Sequence, residues 1–128
     1  MRRVRLVLLS IALGALPPVP LASRCLSAPP DQSTVLGTAL VIPQATATFA
    51  TVYARRVSRM ARETKTDFAM LLGRVAAHEL GHLLMNTAGH PAHGLMRPTW
   101  TKHEVGRNHA ADWAFTRADM AAMRQPGP

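Results

Sequence analysis

The spacing of apolar and polar positions changes period along the chain. Residues 34–53 hold two apolar, β-branched runs, TVLGTALVI and ATATFATVY, separated at Pro43. Runs of that length and composition predict two short strands. From Ala54 to Thr64 the spacing becomes helical, with Val57, Met60 and Ala61 on one side and Arg55, Arg59, Arg62 and Glu63 on the other. Thr64-Lys65-Thr66-Asp67 then ends one helix and starts the next, with Thr66 or Asp67 as the N-cap. The segment from about Phe68 to Asn86 is the most strongly patterned. Its apolar set (Met70, Leu71, Val75, Leu80, Leu83, Leu84) is wider than a surface helix needs, which predicts a central helix. Gly89 is the expected stop, free to take the left-handed conformation. Residues 90–110, dotted with Pro91, Gly94, Pro98 and Gly106, read as an irregular loop. A last helix from about Arg117 to Arg124, capped by Thr116, closes the pattern.

Upstream of these elements the chain has a different character. Arg2, Arg3 and Arg5 precede the uncharged apolar run LVLLSIALGAL at residues 6–16, followed by a proline-rich break and the small residues Ala22 and Ser23. A basic start, a short apolar stretch and a small-residue cleavage region have the layout of a secretory signal peptide. The run falls short of the ~20 apolar residues that span a bilayer. The expected organisation is therefore a signal peptide at 1–23, a Pro- and Ser-rich flexible linker at 24–33, and one domain at 34–128, secreted or periplasmic. At 128 residues there is room for one ordinary core.

Charge and cysteine count narrow the classes further. The formal charge of +8 drops to +5 without Arg2, Arg3 and Arg5, and the remaining arginines are scattered rather than gathered in a stripe. With aromatics at 5%, the sequence lacks the dense basic and aromatic patch of a nucleic-acid-binding module. Cys25 is the single cysteine, so no disulfide can form within the chain.

The chemistry gathers in the most apolar segment. His78-Glu79-Leu80-Gly81-His82 places two imidazoles four residues apart, on one helix face and about 6 Å apart along the axis. Two such rings can converge on one zinc ion. Glu79, turned by roughly 100° from His78, is placed to hold a water beside that ion rather than to ligate it. Three polar side chains in an apolar helix are costly to bury unless they are paired. A catalytic zinc takes three protein ligands and keeps one position open. His90 and His93 both lie within reach for the third place; His90 follows the Gly89 turn directly and is favoured by reach. His103 and His109 read as surface residues, Trp100 and Trp113 as core anchors of the last loop, and Tyr53 as packing at a strand end.

The strip HELGHLLMNTAGHPAHGLMRP, His78 to Pro98, resembles the active-site segment of the metzincin peptidases, matrix metalloproteinases especially. Their pattern is H-E-x-x-H-x-x-G-x-x-H followed by a turn with a methionine beneath the zinc. Met96 and Pro98 stand at the spacing of that turn, and the resemblance implies that Met96 floors the site. Met85 occupies the place of the family's glycine and Ala88 that of its third histidine, with Gly89-His90 offering both later, as if the helix were longer and the turn shifted. The stretch from Trp100 through Trp113-Ala114-Phe115-Thr116 also resembles small secreted bacterial proteins of metzincin type.

The resemblance implies a small α+β metzincin-like, zinc-binding domain over residues 34–128: a short β segment, a central zinc-binding helix, a Met-turn loop and a C-terminal helix. The implied activity is hydrolysis of peptide bonds in a peptide or protein substrate by a monomeric zinc endopeptidase, with His78, His82 and His90 as ligands and Glu79 as general base. The short N-terminal half supports a second expectation, a shortened, non-catalytic zinc-binding relative without a full substrate groove.

Overall fold

A computed structural model of the chain describes residues 6–12, 34–42 and 47–125. Its described part is mixed α and β, as the patterning predicts. Strands β1 (Leu6–Ala12), β2 (Gly37–Leu40) and β3 (Ala47–Tyr53) form one sheet in the order β1-β3-β2. β2 runs antiparallel to β3, with Gly37 opposite Val52 and Leu40 opposite Phe49. β1 runs parallel to β3 from Leu6 opposite Ala47 to Ala12 opposite Tyr53. Thus the described part of the expected signal peptide lies in the sheet as an edge strand. The rest of residues 1–23, and the expected linker at 24–33, lie outside the described residues. Among the described residues no helix is long and apolar enough to cross a membrane.

β3 passes without a loop into α1 (Ala54–Thr64), whose inward residues Val57 and Ala61 are buried. Arg56, on the same helix, is buried too. Its guanidinium lies 4.5 Å over the Tyr53 ring and donates to the Val35 carbonyl at 2.9 Å, tying α1 to the segment that leads into β2. Lys65 ends α1 in the left-handed conformation, and Asp67 caps the next helix by accepting from the Met70 N–H at 2.7 Å.

That helix, α2 (Phe68–Met85), crosses under the sheet. Its wide apolar set predicts a central helix, and only part of its surface is covered. Leu71, Val75 and Leu83 face the core, whereas Met70 and Leu84 are exposed. The wide apolar set overstates burial because the sheet covers only one side. The stop also differs from expectation: Asn86, not Gly89, takes the left-handed conformation and returns its N–H to Leu83. Asparagine tolerates that conformation, so the helix ends three residues before the glycine.

The stretch expected to be a loop contains α3 (Lys102–Arg107), followed by a 3-10 turn at Ala110–Trp113. α3 is short but capped in both directions at its start, with the Thr101 side chain on the Glu104 N–H and the Glu104 carboxylate on the Thr101 N–H. α4 (Arg117–Arg124) closes the fold with the same device, Thr116 and Asp119. The core unites Val52, Val57, Ala61, Leu71, Val75 and Val105, with Trp100 and Trp113 packed against it. Sheet, α1, α2 and α3 therefore share one core, and α2 carries its site end away from it toward the loop at 86–100.

Candidate metal centre

His78 and His82 project from α2 one turn apart, and both are buried; His90 reaches them from the exposed loop beyond the helix. The His82 Nε2 lies 3.1 Å from the Nε2 of His78 and 3.1 Å from that of His90, and the ligand nitrogens of all three lie within 4.8 Å of one another. Nitrogens about 2.0–2.1 Å from one ion at tetrahedral angles stand ~3.3 Å apart, so the spacing suits a shared ion. These three histidines are close enough to bind a metal ion.

The second nitrogens show why the first face inward. His78 Nδ1 donates to the Leu95 carbonyl at 2.8 Å, and His82 Nδ1 donates to the Thr87 carbonyl at 2.9 Å. A carbonyl only accepts, so each proton sits on Nδ1 and each Nε2 is left bare. Bare nitrogens at 3.1 Å have no proton to share; a cation between them removes the repulsion. Backbone partners of this kind orient metal ligands and fix their tautomer. Burial pushes the His78 pKa down to about 4, with the neighbouring His82 and His90 lowering it further and the Leu95 hydrogen bond opposing. Burial, then His82, also lowers His90. Neutral rings are the form that ligates metal.

Four features hold the loop under the helix. Gly94, at φ 78°, turns the chain where a side chain would strike the Ala114 carbonyl at 2.7 Å. Leu95 then donates to that carbonyl at 2.9 Å. Arg97 bonds Glu104 at 2.7 Å and lies 3.8 Å from Asp112, bracing the loop against α3 and the 3-10 turn. Met96 is wholly buried against α2 at Gly81, where a Cβ would lie 2.5 Å from its sulfur. The methionine read as a hydrophobic floor thus packs directly under the helix that carries the histidines.

Glu79 is buried on the side facing β2, and burial raises its pKa to about 7. A cleft of about 340 Å³ opens here, with Gly37, Thr38 and Ala39 of β2 along one side and Pro98 and Trp100 among its other residues. Glu79, His78, His82 and His90 all line it. The chain matches no known family model, no curated protein and no solved structure.

Among the residues singled out from sequence, the structure brings His78, His82, His90 and Glu79 together. His93 is exposed and outside the cluster, as are His103 and His109. Tyr53 stays with Arg56 and Thr38, its hydroxyl 3.5 Å from the Thr38 Oγ1, and does not line the cleft. Trp100 is more than a core anchor. Its ring meets His78 edge-on at 5.4 Å and is backed by Trp113 at 5.1 Å, over which the Arg74 guanidinium lies at 4.1 Å. Spacing carries no signal for that stack. Gly37 does have one, since a lone glycine in a strand pattern marks a close approach.

Proposed function

We propose that this chain is an exported zinc-dependent endopeptidase of metzincin type. The observation that carries the reading is the convergence of three imidazole nitrogens on one point, with a buried carboxylate beside them in an open cleft. Imidazole ligands suit zinc, and three of them leave the open fourth position of a catalytic site. A purely structural site closes that position and has no use for a carboxylate next to it.

Bound by His78, His82 and His90, zinc would lower the pKa of a water toward about 7 and polarise the scissile carbonyl. With such an ion bound, Glu79 would take the proton of a water attacking the scissile carbonyl and return it to the leaving nitrogen. A carboxyl with a pKa of about 7 is suited to both transfers at neutral pH; a cation among the histidines would draw it lower. β2 borders the cleft and, among the described strands, pairs only with β3. Its remaining backbone N–H and C=O groups suit an extended peptide lying alongside. The small size of the sheet favours the second reading, a zinc-binding relative that cleaves nothing.

The deciding experiment measures metal content and hydrolysis of a mixed peptide library for the wild type and Glu79→Gln. The variant should hold about one zinc, as the wild type does, and cleave ~10²–10⁴-fold more slowly. Equal cleavage by Glu79→Gln would sink the mechanism. Stoichiometric zinc without cleavage by the wild type would establish the non-catalytic reading.

A further inference from the structure

Gly37, in β2, lies against the Glu79 side chain. A Cβ built on it would lie 2.6 Å from Glu79 Oε1, 2.8 Å from Cγ and 3.0 Å from Cδ. Its backbone does not require glycine, because Gly94 is the sole glycine at positive φ among the described residues. The space is what requires it. We propose that Gly37 is a positioning residue for the Glu79 carboxylate, its missing side chain being the slot in which that carboxylate is held at the cleft. The proposal rests on the reading of Glu79 as proton acceptor.

Which group would yield to a methyl at position 37 follows from what holds each one. β2 is anchored at Gly37 and at the residue before it: Tyr53 donates to the Leu36 carbonyl at 2.9 Å, and Gly37 stands in register with the buried Val52 of β3. The Glu79 backbone is fixed within α2, between the two helical ligands. The side chain of Glu79 is the softest part. Because the clash includes Cγ, swinging the carboxyl end alone does not relieve it. The whole side chain must leave its rotamer, carrying the carboxylate out of the slot. His78 and His82 are held from below by Leu95 and Thr87, so the metal ligands stay where they are.

The test has two arms on the full chain. The first is a thermal cycle of wild type, Gly37→Ala, Glu79→Ala and the double variant. Gly37→Ala should lower Tm by roughly 5 °C where Glu79 is present and by almost nothing where residue 79 is alanine. Equal losses in both backgrounds overturn the proposal, and this arm decides it whether or not the protein proves to be a peptidase. The second arm is kinetic. Gly37→Ala should keep its zinc and a KM close to wild type while kcat falls by roughly 100-fold, the scale of an ångström-sized misplacement. Shortening the carboxylate by one methylene should restore part of it, so Gly37→Ala with Glu79→Asp should outpace Gly37→Ala alone. A Gly37→Ala protein with wild-type kcat overturns the proposal. A wild type that cleaves nothing overturns the peptidase reading, and the thermal cycle alone then decides whether Gly37 makes room for Glu79.

Discussion

The helical and loop-borne halves of the histidine cluster are built differently. His78 and His82 are buried, and each is tied through Nδ1 to a backbone carbonyl. His90 is exposed, and it meets the cluster through the His82 Nε2. Two rings are thus oriented by backbone partners, while the third reaches them from the loop. A ligand fixed in advance contributes its full strength, whereas one that must be ordered gives part of it back as lost conformational freedom.

The largest expected effect comes from removing one ligand from each half. Loss of an outer partner of a metal ligand costs about 10–100-fold in affinity, so loss of a buried ligand should cost more. His78→Ala should therefore weaken zinc binding by more than ~100-fold, His90→Ala by less, and His93→Ala not measurably. Competition titration against a chelator of known affinity orders the three; an equal loss for His78→Ala and His90→Ala would erase the distinction.

A second prediction concerns how deeply the helical half is sunk. In metal-free protein the His78 pKa lies near 4, below its ordinary 6.5. Between those values the unfolded chain holds a proton that the folded chain lacks, so stability rises with pH; the lowered His90 adds in the same direction. Glu79, raised from 4.5 to about 7, does the opposite: the folded chain holds the proton and stability falls as pH rises through that window. From about pH 4.5 to 6.5 the two largely cancel, leaving metal-free wild type nearly level. Glu79→Gln removes the falling contribution, and its stability should climb by about 2–3 kcal/mol over the same interval. Denaturant melts in excess chelator give the two curves; parallel curves would contradict the burial assigned to Glu79 and His78.

The smallest effects come from one glycine in each half. A methyl at Gly81 meets the Met96 sulfur and, at 3.0 Å, the Phe115 ring, so Gly81→Ala should cost about 1–3 kcal/mol. Gly89 meets the Thr87 hydroxyl at 3.2 Å and is exposed without positive φ. Gly89→Ala should stay within about 0.5 kcal/mol of wild type. Chemical denaturation separates the two, and a costly Gly89→Ala would mean the loop is as tightly built as the helix.

Local pattern made α1, α2 and α4 readable, down to Thr116 as a cap and Asp67 as one of two candidates, because the caps and the helical spacing lie within a few positions. The H-E-x-x-H pair was readable for the same reason. α3 was obscured by Pro98 before it and Gly106 within it, although Thr101-x-x-Glu104 is a capping-box spelling. Glycine is the commoner stop and points to Gly89, whereas the chain turns at Asn86, three positions earlier. The carbonyls of Leu95 and Thr87 carry no mark in the sequence, since any residue supplies one. That Gly37 faces Glu79 depends on how β2 lies across α2, a contact between positions far apart along the chain.

The packing of Met96 under Gly81 also gives the molecule a built-in clock. Methionine sulfur is oxidised where an oxidant reaches it, and Met70 and Met120 stand open on the surface at 41% and 40% exposure. Met96 has no exposed surface at all. Peroxide can form its sulfoxide only in the moments when the turn lifts from the helix, so that rate records how often the loop opens. Once oxidised, a polar, bulkier sulfur no longer fits beneath the glycine, and each opening caught by oxidant becomes permanent until it is reduced.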